Sequence, residues 1–366
     1  MDERQTYIVL NMMQGVGPVT VRNLTEALGS VEAILQADGA DMKRVRGVGN
    51  EMVGRILEQR GRLDPAEEEA RAEKAGARIV TRVDAEYPKR LLQVYDPPMA
   101  LYVRGTLQSR DEAGVAVVGS RRSSHYGLET AERLAFQLAQ HGVSVVSGLA
   151  RGIDTAAHRG AVKGRGRTVA VLGGGLDCLF PPENVGLAEE IEKQGAVITE
   201  YPFGRQPDKT TFPVRNRIVS GMSQGVVVVE ADVTSGAMIT ANQAMEQGRT
   251  VYAVPGRIDS SGSRGPHRLI KQGARLVETV EDILEELQSL LPALPAVRRA
   301  MDDAVPLSEA EREVVGLLEA EGESDVDTLI RRTGKRAAEI SALIMGLEIK
   351  RVVKMLPGQR VGLRRQ

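Results

Sequence analysis

The chain has 366 residues, 42% of them hydrophobic and 27% charged, and its formal net charge is −1. At about 150 residues per domain, this length predicts two or three domains, and no apolar run approaches the roughly 20 residues that a membrane span needs. A single cysteine, Cys178, excludes an internal disulfide framework, and the four histidines lack metal-ligand spacing. Because the acidic start also lacks a secretory signal, we expect a cytoplasmic protein that binds no metal and no membrane.

Two similar glycine turns organise the N-terminal region, Gln-Gly-Val-Gly-Pro at 14–18 and Arg-Gly-Val-Gly-Asn at 46–50. They separate short helical patterns, which resembles a tandem helix-hairpin-helix. In that motif the turn exposes backbone N–H groups to a DNA phosphate, and glycine is needed for close approach. The same glycines would also serve a helical module that only turns tightly, and both interpretations stay open. We predict a helical, SAM-like helix-hairpin-helix domain over residues 1–75.

From residue 115 the pattern changes to short β-branched runs that alternate with amphipathic helical segments. Wholly apolar strands are buried on both faces, and successive strand–helix–strand units form a mainly parallel, doubly wound sheet with right-handed crossovers. A stretch at Leu101–Val103, just after Pro97 and Pro98, is predicted to add a short edge strand. We therefore predict an α/β, Rossmann-like domain over residues 76–291. The strand runs are Val115–Val118, Val143–Ser147, Thr168–Leu172, Ala196–Thr199, Val226–Val229 and Val251–Val254.

The last region, 306–366, follows a proline-containing linker predicted at 292–305. Ser308 is predicted to cap the first of three helical patterns, and two strand patterns follow, which is the outline of a winged helix. Residues 331–366 contain 10 basic and 2 acidic residues, a balance of +8. Winged helices serve either as DNA-binding modules or as protein-docking modules, and both roles stay open for this one.

Turns rich in glycine, serine and arginine follow almost every predicted strand of the Rossmann-like region. Ligands of open α/β sheets bind at the carboxyl ends of the strands, where these turns lie. Glycines let the backbone approach an anion, hydroxyl groups donate hydrogen bonds, and arginines neutralise charge. Residues 115–275 contain 19 basic and 14 acidic residues, a balance of +5. This pattern predicts phosphate recognition.

The segment Phe212-Pro-Val-Arg-Asn-Arg217 places two arginines and an amide just after a proline, where a helix is predicted to begin. Pro213 biases Phe212 toward extended geometry, and the N–H groups at a helix start attract phosphate. Arg215 and Arg217 add planar, permanently charged groups. The segment predicts an anion site, although arginines at a helix start also pair with surface carboxylates.

Acidic residues near these turns have both catalytic and structural interpretations. Asp154 and His158 lie at i and i+4 on one helix, which permits a hydrogen bond, and we expect the pair to fix the helix start. Glu230 ends a strand at the ligand edge, either as a general base or as the partner of an arginine in 215–217; we prefer the second role. The dinucleotide fingerprint is missing, because Gly173-Gly-Gly is not followed by a further glycine at the spacing that opens a helix in that motif. We predict no cofactor and no catalytic residue.

The ordered set of motifs resembles the DNA-processing protein family DprA, also called Smf, over nearly the whole chain. The resemblance implies a non-enzymatic protein that binds and protects incoming single-stranded DNA and helps to load the RecA recombinase during natural transformation. It also implies a homodimer, which we expect to bury apolar surface near 269–277, and single-stranded DNA-binding protein is a further candidate partner. The motifs are Val-Gly-Ser-Arg at 118–121, Ser-Gly-Leu-Ala-Arg-Gly-Ile-Asp at 147–154, Leu-Gly-Gly-Gly-Leu-Asp at 172–177, Phe-Pro-Val-Arg-Asn-Arg at 212–217, Ser-Gly…Thr-Ala at 235–241 and Val-Pro-Gly at 254–256.

In that family the pocket at the strand ends holds the DNA backbone, and Arg121, Arg215 and Arg217 occupy matching positions. An alternative is a Rossmann-like nucleotide phosphoribohydrolase, but the motif Pro-Gly-Gly-x-Gly-Thr-x-x-Glu of such enzymes is absent. The residues expected to contact DNA are Gly119, Ser120, Arg121, Ser123, Ser147, Gly148, Arg151, Gly152, Phe212, Arg215, Asn216, Arg217, Ser235 and Gly236.

Overall fold

The computed structural model describes residues 1–290, 308–349, 352–356 and 360–363. The chain divides into two compact units, Met1–Val297 and Arg298–Gln366. The linker predicted at 292–305 lies outside the described residues. Among the helices in the described ranges, none combines the length and apolar character that crossing a membrane requires. No group of three or more His, Cys, Asp or Glu side chains in those ranges is placed to hold a metal ion.

The N-terminal module is helical, as predicted. Its two glycine turns contain Gly15 and Gly47 with φ of +79° and +85°, a left-handed backbone that favours glycine. A helix begins directly after each turn, with Gly17 and Gly49 as the N-caps. The helices are α1 Glu3–Met12, α2 Pro18–Leu28, α3 Val31–Gln36, α4 Gly39–Lys43, α5 Asn50–Gln59 and α6 Pro65–Lys74.

The Rossmann-like region contains a mixed, mostly parallel sheet. Its strands are β1 Arg78–Thr81, β2 Ala100–Gly105, β3 Val115–Val118, β4 Val145–Ser147, β5 Thr168–Val171, β6 Ala196–Thr199, β7 Gly225–Val228, β8 Thr250–Ala253 and β9 Arg275–Leu276. They lie in the order β1-β2-β6-β5-β4-β3-β7-β8-β9. Pairs from β6 to β9 are parallel, whereas β2 is antiparallel to both neighbours. The doubly wound prediction is confirmed, but the edge position predicted for Leu101–Val103 is wrong, because β1 pairs with β2 and takes that edge.

The order of the strands reverses at β3, which pairs with β4 on one side and β7 on the other. Helices cover both faces of the sheet. This shields the apolar side chains of β3, which point alternately to one face and to the other. Ala116 and Val118 belong to an apolar cluster on one face, and Val115 and Val117 belong to another on the opposite face. The helices are α7 His125–Gln140, α8 Ile153–Lys163, α9 Val185–Gln194, α10 Thr211–Gly221, α11 Gly236–Glu246, α12 Arg264–Lys271 and α13 Glu281–Leu290.

The second unit has the predicted winged-helix outline. Ser308 caps its first helix: Ser308 Oγ accepts a hydrogen bond from Glu311 N (3.3 Å), and Glu311 Oε2 accepts one from Ser308 N (2.7 Å). A short strand before the second helix was not predicted, and the turn predicted at Pro357-Gly358 lies outside the described residues. The elements are α14 Glu309–Glu321, β10 Ser324–Asp325, α15 Val326–Thr333, α16 Ala337–Ile349, β11 Val353–Leu356 and β12 Arg360–Leu363.

Candidate functional site

A cavity of about 470 Å³ opens at the carboxyl ends of β3 and β7, where the strand order reverses. Open α/β sheets bind ligands at this point because the loops from neighbouring strands diverge there. The wall is made by the loop after β3, the turn after β4, the first turns of α10 and the start of α11. Its charged side chains are Arg121, Arg122, Lys209, Arg215 and one acid, Asp154.

The loop after β3 is held in place by Glu230, which lies just after β7. Glu230 Oε2 accepts a hydrogen bond from Ser124 N (2.8 Å), and Glu230 Oε1 accepts one from Ser124 Oγ. A Cβ on Gly127 would stand 2.4 Å from Glu230 Oε2, so this packing requires glycine. The loop is tied further by Ser120 N, which donates to Glu230 O (2.6 Å). The expectation that Glu230 pairs with an arginine of 215–217 is wrong, because Ser124 occupies both carboxylate oxygens.

Arg121 projects from this loop and forms no ion pair with a carboxylate of the described residues. Its side chain is exposed, and its guanidinium carbon lies 4.7 Å from the centroid of the Phe212 ring. Within the described ranges, the side chains of Arg121, Arg122 and Lys209 form neither a hydrogen bond nor an ion pair. All three line the cavity. An anion can therefore meet three exposed cations beside an aromatic ring without displacing an existing partner.

Arg215 supplies a further positive charge from inside the protein. It lies on α10, is 3% exposed, and donates from Nη1 to the carbonyl oxygens of Gly148 (2.5 Å) and Val171. A Cβ on Gly148 would stand 2.6 Å from the guanidinium carbon, so the arrangement requires glycine. Burial, opposed by the nearby carboxylate of Asp154, lowers the pKa of Arg215 to about 10. The guanidinium is still charged at neutral pH.

Arg217 does not belong to the cavity, and its prediction as a direct anion contact is wrong. Two positions along a helix rotate a side chain by about 200°, so Arg217 points away from the direction of Arg215. It is 4% exposed and forms ion pairs with Glu200 and, at 2.9 Å, with Asp96. Its charge is already neutralised by carboxylates, and it joins α10 to the ends of other elements.

The start of α10 also differs from the prediction. The helix begins at Thr211, so Phe212 is helical rather than extended, and Pro213 falls in the first turn. Proline is tolerated there because the first N–H groups have no acceptor within the helix. Asp208 Oδ1 accepts hydrogen bonds from Thr210 N (2.7 Å) and Thr211 N (3.1 Å), so these groups are already occupied. Hydrogen bonds from Thr210 lower the pKa of Asp208 to about 2.

Comparison with known proteins decides the family. The sequence model of DNA recombination-mediator protein A matches residues 78–288, which is more than half of the chain. The chain belongs to this family. Models of a SAM-like helix-hairpin-helix tandem and of the DprA winged helix domain match residues 8–61 and 298–359. The resemblance to DprA is confirmed, and the description as a recombination mediator agrees with the expectation of a non-enzymatic protein.

Individual relatives extend over most of the chain. Protein Smf of Synechocystis is 31% identical over 390 residues, with 98% of each chain covered. The X-ray structure of DNA processing protein A from Streptococcus pneumoniae has 36% identity and a TM-score of 0.68, and covers 77% of this chain and 97% of that one. The structure of DNA processing protein A from Helicobacter pylori addresses a single-stranded DNA binding mode; it has 29% identity and a TM-score of 0.52, and covers 58% of this chain and 96% of that one.

Most of the predicted site residues of this DprA family member come together in the cavity. Asn216 Nδ2 donates to Gly236 O (3.3 Å) and so ties α10 to α11, while Ser235 Oγ accepts from Ala237 N (3.3 Å) and caps α11. The predicted residues on the cavity wall are Gly119, Ser120, Arg121, Gly148, Phe212, Arg215, Asn216, Ser235 and Gly236.

The other predicted residues lie elsewhere. Ser147 is fully buried and its Oγ donates to the Val117 carbonyl oxygen (2.7 Å), so the prediction that it donates to a ligand is wrong. Arg151 lines a small adjoining cavity of about 50 Å³ and pairs with Glu183. The remaining two predicted residues, Ser123 and Gly152, line a neighbouring groove.

Asp154 and His158 do not bond to each other. Asp154 Oδ2 accepts hydrogen bonds from Gly148 N (3.2 Å) and Ala150 N (3.3 Å), which orders the turn before α8. His158 Nδ1 lies 2.7 Å from Thr168 Oγ1, and burial, followed by the charge of Arg215, lowers the pKa of His158 to about 3. The expectation that the Asp154–His158 pair fixes the helix start is wrong: the side chain of Asp154 orders the preceding turn, and Gly152 at the N-cap of α8 has no side chain that could cap the helix. The neutral histidine is buried against Thr168 of β5.

Two cations on the cavity wall were missing from the predicted set. Lys209 lies three residues before Phe212, and Arg122 directly follows Arg121. Their proximity in sequence to predicted site residues is the signal that would have included them. Arg122 stands in the same glycine-containing loop after β3 as Arg121, whereas Lys209 lies just before α10 and follows no strand directly, so its sequence context did not separate it from surface charges.

Proposed function

We propose that the cavity at the ends of β3 and β7 binds the sugar-phosphate backbone of single-stranded DNA. The observation that carries this proposal is the convergence of three exposed cations, Arg121, Arg122 and Lys209, on one cavity above the buried charge of Arg215. Among the residues that the structure describes, none of the three side chains has an ion-pair or hydrogen-bond partner. Phosphate groups are the anions that such an array fits, because arginine binds phosphate through paired N–H groups and lysine binds it as a point charge.

Two aromatic side chains, Phe212 on the cavity wall and Phe180 in the small adjoining cavity, support a single strand over a duplex. Phe212 is partly exposed on the wall, and its ring centroid lies 6.2 Å from that of Phe180, which is 41% exposed. Bases of a single strand can stack on such rings, whereas bases in a duplex are already stacked and paired. The single-stranded DNA binding mode of the Helicobacter pylori relative is consistent with this choice.

A salt titration tests the proposal. We expect the protein to bind oligo-dT more tightly than duplex DNA of equal length, because only the single strand can place both phosphates and bases in the cavity. The logarithm of the affinity should fall linearly with the logarithm of the salt concentration, by about 0.7 per phosphate contact. Fluorescence anisotropy measures both quantities. Equal binding of the two DNA forms, or affinity independent of salt, would contradict the proposal.

We further propose that the bound strand is protected and passed to RecA. The description of the family as a recombination mediator supports this step. We expect the protein to speed RecA assembly on a strand coated with single-stranded DNA-binding protein. The rate of ATP hydrolysis by RecA measures this assembly. A variant with Arg121→Ala and Lys209→Ala should give no acceleration, and acceleration equal to that of the wild type would separate RecA loading from the cavity.

A second copy of the chain is the proposed partner at the β9 edge of the sheet. Leu269 and Val277, within the surface expected for the dimer, are fully buried in the protein's own core and cannot form it. Leu276 of the edge strand is 46% exposed, and an uncovered edge strand can pair with another chain.

We expect light scattering to give a dimer for the wild type and a monomer for Leu276→Glu. As a matched control, Leu92→Glu changes a leucine that is 43% exposed and should remain dimeric; loss of the dimer in both variants would refute this edge.

A further inference from the structure

A second groove, of about 400 Å³, shares Arg121 and Arg122 with the cavity at the strand ends. It runs between α7 and α8. Leu128 and Glu132 line it from α7, and Thr155, Ala156 and Arg159 line it from α8. The shared arginines make the two depressions neighbours, so one extended ligand can reach both.

The charge of the second groove is positive. Arg159 is exposed, and its guanidinium forms neither a hydrogen bond nor an ion pair within the described part of the chain. Glu132, the acid on the wall, is engaged by Lys163 Nζ. Arg121, Arg122 and Arg159 therefore face the groove without an uncompensated carboxylate among the lining residues.

The floor of the groove offers few free polar groups to a ligand. A Cβ on Gly152, whose φ is +78°, would stand 2.3 Å from Ser120 O, so the loop after β3 lies directly on this glycine. Thr155 Oγ1 is occupied, because it donates to Ala150 O (2.7 Å) and accepts from Asn184 Nδ2 (2.8 Å). Guanidinium groups are left as the main polar contacts, which fits phosphates better than the edges of bases.

We propose that a single strand leaving the first cavity crosses Arg121 and Arg122 and continues along the groove between α7 and α8, where Arg159 contacts a further phosphate. This inference rests on the proposed binding of single-stranded DNA in the first cavity. The bound strand is then longer than the first cavity alone would hold, and Arg159 acts only on strands long enough to reach it.

A length series with Arg159→Ala tests the inference. Oligo-dT of about 4 to about 16 nucleotides spans the site sizes of single-strand-binding folds. For the shortest oligo-dT that binds at all, we expect the variant and the wild type to have the same affinity. Strands beyond a threshold length should bind about tenfold more weakly, with a salt slope lower by about 0.7. Arg159→Lys keeps the charge and should retain the wild-type salt slope.

The control is Arg133→Ala, which removes an exposed arginine of α7 that lines neither depression and should leave all lengths unchanged. Wild-type affinity of Arg159→Ala at every length would overturn the inference. Equal losses at all lengths would also overturn it, because Arg159 would then act on the first cavity. Failure of the wild type itself to bind any oligo-dT would instead refute the proposed function.

Discussion

The double variant Arg121→Ala with Lys209→Ala is expected to bind single-stranded DNA about 10²–10⁴-fold more weakly than the wild type. Each substitution removes one charge-assisted contact to a phosphate, and within the described residues neither side chain forms a hydrogen bond or an ion pair. The salt slope should fall by about 1.4, since each lost phosphate contact contributes about 0.7. Anisotropy titrations with oligo-dT at several salt concentrations give both values.

The matched control for this variant changes one arginine and one lysine near the amino ends of the strands, at the opposite end from the cavity. Arg110 and Lys193 are exposed and precede β3 and β6, so they lie toward the amino ends of the strands. Arg110→Ala with Lys193→Ala alters the net charge equally and should keep nearly wild-type binding. Similar losses in both double variants would mean that overall charge, rather than the cavity, attracts the DNA.

Arg217→Ala is expected to have the largest effect on stability. The substitution leaves Glu200, which is 8% exposed, without its guanidinium partner. Removing one member of a buried ion pair costs about 3–5 kcal/mol, because the remaining charge stays desolvated. We expect the thermal unfolding midpoint to fall by about 10 °C. Differential scanning calorimetry of the full chain measures the shift.

A second substitution separates the lost pair from lost packing. Arg217→Met with Glu200→Gln removes both buried charges at similar volume and should recover part of the stability, because the carboxylate that then lacks a partner, Asp96, is 34% exposed and keeps contact with water. The DNA affinity of Arg217→Ala, measured below its unfolding midpoint, should stay within a few-fold of the wild type. A normal midpoint combined with lost binding would return Arg217 to the direct DNA contacts that the sequence predicted.

The architecture of the sheet was predictable because its signals are local. Six β-branched runs alternate with helical patterns, and each run corresponds to a strand within one or two residues. The position of β2 was not predictable from its own residues. Whether a strand lies at an edge depends on a partner, and β1 comes from Arg78–Thr81, a short segment without a strong alternating pattern.

The candidate site was predictable as a set of turns but not as a set of contacts. Arg215 and Arg217 have the same chemistry and lie two residues apart, yet one lines the cavity and the other pairs with Glu200. The direction of each side chain is set by the phase of α10, which begins at Thr211, where Asp208 Oδ1 accepts hydrogen bonds from Thr210 N and Thr211 N. Glu230 was assigned to the wrong partner for a similar reason: the loop after β3 folds back and presents Ser124 to it.

The burial of Arg215 has a consequence for behaviour in concentrated electrolyte. Mobile counterions gather readily around Arg121 and Lys209, but they cannot approach a guanidinium enclosed behind Gly148 and the end of β5. Its field is therefore attenuated far less by dissolved ions than that of the surface cations. The attraction between Arg215 and a seated phosphate therefore weakens only slightly as electrolyte is added, so the loss of strand retention towards molar strength should be shallower than four solvent-exposed cations would produce.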